Sequence, residues 1–147
     1  MAFETGPYIQ VAAFCDQVLE DKTNVLSLIR VIDTLTHTES RPDAPEEMPP
    51  VTHPLKLVIM LKSGAARGRH ELRIVPELPS GETLPPFTTS VHLAGEERGA
   101  NIIANMPFTF KMEGLYWFHV YLNDAFFTKL PFRMLYRRLM TAQAPPK

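Results

Sequence analysis

The sequence predicts an all-β fold, a single-domain antiparallel β-sandwich of about eight strands. Three observations carry this. Short segments of alternating apolar and polar residues recur at intervals of roughly 8–15 residues, bounded by turn-forming residues. No segment follows the helical period alone. The chain also holds 14 prolines, each of which removes an amide donor and stops a helix.

The elements follow in order. Tyr8 to Cys15 alternates, with Ile9, Val11, Ala13 and Cys15 on one side and Tyr8, Gln10, Ala12 and Phe14 on the other, which reads as a half-buried strand. The polar stretch from Asp21 to Asn24 turns the chain. Val25 to Thr38 places Val25, Leu28, Ile29 and Ile32 at helical spacing, but its β-branched content makes it a strand, with a bulge near Arg30. Residues 41–54 carry five prolines and no periodicity. They form a stiff, extended loop that crosses between the sheets. Leu55–Lys62 and Arg69–Val75 both alternate and are expected to pair as a hairpin through the Gly64–Gly68 turn. Pro79–Glu82 and Pro85-Pro86 are loops. Thr88–Leu93 is a strand, Gly95–Gly99 a turn, and Ala100–Phe110 a strand whose Pro107 marks an edge or a bulge. Residues 142–147 are a frayed tail.

The last two strands, around Asn123-Asp124, form the aromatic hairpin on which the others pack. A two-residue loop there pairs Phe118 with Lys129 and turns that lysine into the core, where an unpaired charge is costly. A three-residue loop, Asn123-Asp124-Ala125, pairs Leu122 with Phe126, Phe118 with Leu130 and Tyr121 with Phe127, and keeps Lys129 outside. The odd-length loop is the expectation.

Composition excludes several functions. Fifteen basic and sixteen acidic residues leave a net charge of −1, which gives no global field for nucleic acid or an anionic membrane. No apolar run approaches the roughly 20 residues of a membrane span. The first residues lack a basic segment followed by an apolar core, so they do not read as a secretory signal. With one cysteine no disulfide forms within the chain, and a reducing, cytoplasmic setting follows. At 147 residues one core buries roughly 68–70% of the unfolded surface, so the chain reads as one domain, 1–147.

Phe14-Cys15-Asp16, the segment Val25–Thr36, Leu55–Leu61 and Gly114–Phe118 together resemble a family of small bacterial proteins catalogued only as a domain of unknown function. The resemblance implies a stand-alone β-sandwich and favours a strand over Val25–Thr36. It brings no activity and no catalytic residues.

No motif of catalysis, cofactor binding or metal ligation stands out. The five histidines, His37, His53, His70, His92 and His119, are far apart in sequence and lack the short spacings of zinc ligands. His70, on the apolar side of its strand, reads as a hydrogen-bonded residue at the core edge. Cys15 reads as a buried, inert thiol, and Asp16 as the residue that ends its strand by bonding nearby amides. Gly64–Gly68 and Gly95–Gly99 lack the Lys-Ser/Thr of a phosphate loop and precede no helix.

One feature exceeds an ordinary sandwich strand. Tyr116, Phe118, Val120 and Leu122 make one apolar face of the terminal hairpin, and Trp117, His119 and Tyr121 make the other nearly as aromatic. Either the 41–54 loop or a subunit contact covers that outer face. The expected interface residues are Trp117, His119, Tyr121 and Phe127. They belong to a non-enzymatic protein that acts through protein contact, as a homodimer or with a protein partner, without cofactor, nucleic acid or membrane. The alternative is a small-molecule or metal-dependent enzyme whose site converges from distant strands, with His70, His92 and His119 as its candidates.

Overall fold

All regular structure in the computed structural model, which describes residues 3–139, is β. Seven strands form: β1 (Tyr8–Glu20), β2 (Leu26–Ile32), β3 (Thr34–Glu39), β4 (Val51–Glu77), β5 (Phe87–Phe110), β6 (Gly114–Leu122) and β7 (Ala125–Arg138). Their order is β2-β1-β4-β6-β7-β3, with β5 along the opposite edge of β4. The expected tail at 142–147 lies outside the described residues.

The two layers come from one sheet that folds over on itself. The first half of β4, Lys56 to Lys62, pairs with β1. Its second half, Leu72 to Glu77, pairs with β6. β5 accompanies β4 along both halves, from Val51↔Phe110 to Ile74↔Phe87. Phe14 on β1 then meets Phe118 and Phe132 with ring centroids 5.0 and 5.1 Å apart, and Phe108 on β5 meets Phe118 at 5.2 Å. Edge-on ring pairs of this kind add about 0.5–1.5 kcal/mol each beyond the area they bury.

The hairpin expected between Leu55–Lys62 and Arg69–Val75 does not form, because both segments belong to the single strand β4. The Gly64–Gly68 and Gly95–Gly99 stretches are bends within long strands, not reversals. Gly64, Gly68, Gly95 and Glu96 all have positive φ, and the register slips at Lys62/Gly64 and Gly64/Arg67. Such slips kink a strand without turning it back. Two bonds hold the bend open: Ala65 donates to the Thr5 carbonyl at 2.7 Å, and Arg67 to the Ala94 carbonyl at 2.9 Å. The true reversal between β4 and β5 lies in the proline-bearing loop from Leu78 to Pro86. Thr88–Leu93 and Ala100–Phe110 likewise join into β5, which is an edge strand, as Pro107 implied.

Val25–Thr38 makes two strands rather than one. β2 pairs with β1 in the first layer, and after Asp33 β3 pairs with β7 in the second. The β3–β7 pair is parallel, so the sheet is mixed, not wholly antiparallel. Arg30 has φ 57, but the β1–β2 register runs through it unshifted, so the expected bulge is a left-handed residue with no insertion. Residues from Ser40 to Pro50 carry the chain from β3 to the first half of β4, and Val51 to Pro54 are already strand. Asp16 does not end β1. Its carboxylate accepts from the Arg30 guanidinium across the β1–β2 pair, and β1 continues to Glu20.

The terminal hairpin satisfies both demands on it by another route. The loop is two residues long, with Leu122↔Ala125 and Tyr121↔Phe126. Asn123 and Asp124 have φ of 50° and 68°, the positive values that a type I′ turn requires. Phe127 is then skipped, and the register resumes at Val120↔Thr128, His119↔Lys129, Phe118↔Leu130 and Tyr116↔Phe132. The expected three-residue loop is overturned, as are the Leu122–Phe126 and Tyr121–Phe127 pairs. The expected placement of Phe118 inside and Lys129 outside stands, because the bulge restores the parity that the tight turn removes.

Candidate functional site

Alternation divides the second layer cleanly. Leu72 and Ile74 on β4, Phe118 and Val120 on β6, and Leu130 and Phe132 on β7 are buried. Their neighbours point outward in three cross-strand rows: Arg73–Tyr121–Phe126, Val75–His119–Lys129 and Glu77–Trp117–Pro131.

Charged side chains lie across the rings of this face. The Lys129 ammonium sits 4.3 Å from the centroid of Trp117, and the Arg73 guanidinium 4.7 Å from that of Tyr121. Each contact is worth about 0.5–1 kcal/mol at an exposed site. His119 Nε2 and Glu77 Oε1 are 2.7 Å apart, and Arg73 also reaches Asp124 at 3.3 Å. The face is therefore amphipathic, with rings half-buried beneath their own cations.

Three of the four expected interface residues, Trp117, His119 and Tyr121, come together here. Phe127 does not. As the bulged residue it packs on Phe3, with centroids 4.7 Å apart, at the margin of the core. Phe126 takes the outer place, 51% exposed and 6.0 Å from Tyr121. The signal for this lay in the Asn-Asp pair, which favours a two-residue turn, together with the charge of Lys129, which then demands an extra residue before it.

The 41–54 segment, the other cover open to the outer face, packs elsewhere. Its Ala44 and Met48 are buried, Met48 within the core. The Tyr136 hydroxyl donates to the Pro45 carbonyl at 2.7 Å, and Arg138 donates to the Ala44 carbonyl. Tyr136 and Arg138 alternate with the outward residues of β7.

The candidate histidines of the enzymatic alternative go to separate places. His70 has both ring nitrogens engaged: one lies 3.0 Å from the Arg67 carbonyl and Nδ1 lies 2.6 Å from Asn123 Nδ2. His92 pairs in register with Arg69 while His70 pairs with Val91, so the two point to opposite faces. His119 is bound to Glu77. Among the described residues no three His, Cys, Asp or Glu side chains stand close enough to hold a metal ion.

Cys15 is buried, 2% exposed, and burial pushes its thiol above the usual range. Only the thiolate is nucleophilic, so a thiol-reactive dye should label Cys15 at the rate of global unfolding. Labelling within seconds under native conditions would contradict this placement.

No helix among the described residues is long and apolar enough to cross a membrane. No curated protein matches the chain in sequence. Among solved structures it is similar to a CARDB domain from Pyrococcus furiosus in complex with di-metal ions, at 10% identity and a TM-score of 0.44, with 90% of this chain and 91% of that one covered. It is also similar to the alkylpurine DNA glycosylase AlkC of Pseudomonas fluorescens bound to DNA containing an abasic site analog, at 10% identity and a TM-score of 0.44, with 84% of this chain and 30% of that one covered. Over residues 10–135 the sequence matches the family described as "Family of unknown function (DUF6941)", and the chain belongs to that family.

Proposed function

We propose that this chain is a non-enzymatic protein-contact module whose working surface is the outer face of the second layer. The observation that carries this is the presentation of Trp117, Tyr121 and Phe126 on one sheet face, with Lys129 and Arg73 of that face lying over the first two rings and Phe126 exposed. Aromatic residues with a polar surround are what contact surfaces use as anchors. The enzymatic alternative has less to work with, since His70 and His119 are already bonded to their neighbours. The single buried cysteine suits a reducing, cytoplasmic setting.

Charge bears on the partner. A two-fold contact with a second copy uses one patch twice, which would bring the cations of both copies, Lys129 and Arg133 among them, into one interface. An unlike partner avoids that repulsion and is the reading favoured.

A photo-cross-linking residue placed at position 126, in the cells that make the protein, tests the surface. A discrete adduct with another polypeptide is expected, absent when the probe sits at exposed Thr52 on the other layer. An adduct with a second copy would favour the homodimer. No adduct at position 126 would overturn the surface, and stoichiometric zinc, iron or manganese in the purified protein would favour the enzyme.

A further inference from the structure

On the outward side of β7 the residues run Lys129, Pro131, Arg133, Leu135, Arg137, so cations and apolar side chains alternate along a single strand. Outward neighbours in a strand are two residues apart, and a cation therefore recurs about every 13 Å. The adjoining edge strand β3 contributes only hydroxyls to the same side. Thr34 stands in register with Arg133, Thr36 with Leu135 and Thr38 with Arg137. The nearby carboxylates are committed elsewhere: Glu77 to His119, Asp124 to Arg73, Glu113 to the Tyr136 amide and Asp33, beside Arg133, to the Thr34 hydroxyl. Among the described residues no carboxylate pairs with Arg133 or Arg137.

From this lane we infer that the partner is an extended acidic polypeptide segment, lying along β7 with a carboxylate at every fourth residue and apolar side chains midway between. An extended chain repeats its same-face side chains with the period of β7 itself. Its carboxylates meet Lys129, Arg133 and Arg137, and its apolar residues meet Pro131 and Leu135. The hydroxyls of Thr36 and Thr38 donate to carboxylate oxygens left over, while that of Thr34 is already given to Asp33. Charge complementarity of this kind sets orientation and register more than affinity. The inference rests on the contact reading above and adds the chemistry of the partner to it.

A single strand of nucleic acid is the other polyanion to weigh. Its affinity would come largely from bases stacked on free ring faces. Here Lys129 and Arg73 already lie over Trp117 and Tyr121, and the positions between the β7 cations are Pro131 and Leu135, not rings. The lane suits carboxylates.

Trp117 is the only tryptophan and lies under Lys129, so its emission reports on the lane directly. The probe is a nine-residue peptide with Glu at positions 1, 5 and 9 and Leu at 3 and 7. It should change Trp117 emission saturably and weaken as salt is added. The double variant R133E/R137E should bind at least about tenfold more weakly, equivalent to about 1.4 kcal/mol. A peptide with Lys in place of Glu should not bind. Equal binding of both peptides, no binding of either, or no loss in R133E/R137E would overturn the acidic segment. Tighter binding of a twelve-residue oligothymidylate at the same salt would overturn it in favour of nucleic acid. In each of these cases a protein adduct at position 126 would leave the contact surface itself standing.

Discussion

Replacing Phe118 by alanine should cost about 3–5 kcal/mol of unfolding free energy, the usual range for emptying a buried aromatic site. Phe118 is fully buried and is the ring on β6 that both Phe14 and Phe108 reach from the other layer. Its loss opens a cavity between the layers and removes two edge-on contacts together. Since a domain of this size has only about 5–15 kcal/mol in hand, the variant should lose a large share of its stability. Trp117→Ala, one residue away on the half-buried side, should cost less than half as much. Chemical denaturation of both variants measures the difference. A loss below about 1.5 kcal/mol for Phe118→Ala would mean that the layers do not meet there.

The second large effect sits at the bend of β4. Gly64→Ala should destabilise by about 2–4 kcal/mol, and Gly68→Ala by about 1 kcal/mol. Both glycines have positive φ, at 60° and 90°, so alanine carries a backbone cost of roughly 1 kcal/mol or more at either position. Space separates them. A methyl group on Gly64 overlaps the Thr5 carbonyl oxygen and stands 2.9 Å from the Tyr8 ring, whereas one on Gly68 meets nothing within 4 Å. Thr5 is the backbone that accepts from Ala65 and cannot withdraw without giving up that bond. Overpacking of this kind adds about 1–3 kcal/mol. Denaturation midpoints that fall equally for the two variants would show that the N-terminal segment does not brace the bend.

The strand content of the chain was legible because alternation is a local property. Leu55–Lys62, Arg69–Val75 and Ala100–Phe110 all lie within strands. What connects them was not legible, for a physical reason. A glycine of positive φ serves a tight turn and a bulge equally well, and the choice at Gly64 depends on Thr5, nearly sixty residues away in sequence, taking the Ala65 amide. The same holds for Val25–Thr38, where composition shows a strand but not that Asp33 passes it from one layer to the other. At the hairpin, reasoning from parity put Lys129 and Phe118 on their correct sides. It failed for Phe127 because a bulge shifts parity as effectively as a longer loop. The outer face was therefore readable as aromatic, with one ring misassigned. The cation lane of β7 escaped notice because charges spaced four apart in a strand look like an ordinary solvated face until the neighbouring strand is known.

The parallel pairing of β3 with β7 has a consequence for how the chain is made. Thr34 lies beside Arg133, so β3 must wait for a strand that emerges from the ribosome about a hundred residues later. At about 5–20 residues per second the interval is roughly 5–20 s. Through that time β1 and β2 can close on each other, while β3 remains tethered to them with no ladder to join. The nascent chain thus carries an unsatisfied strand edge throughout that interval, and the arrival of the aromatic hairpin is the event that ends that exposure.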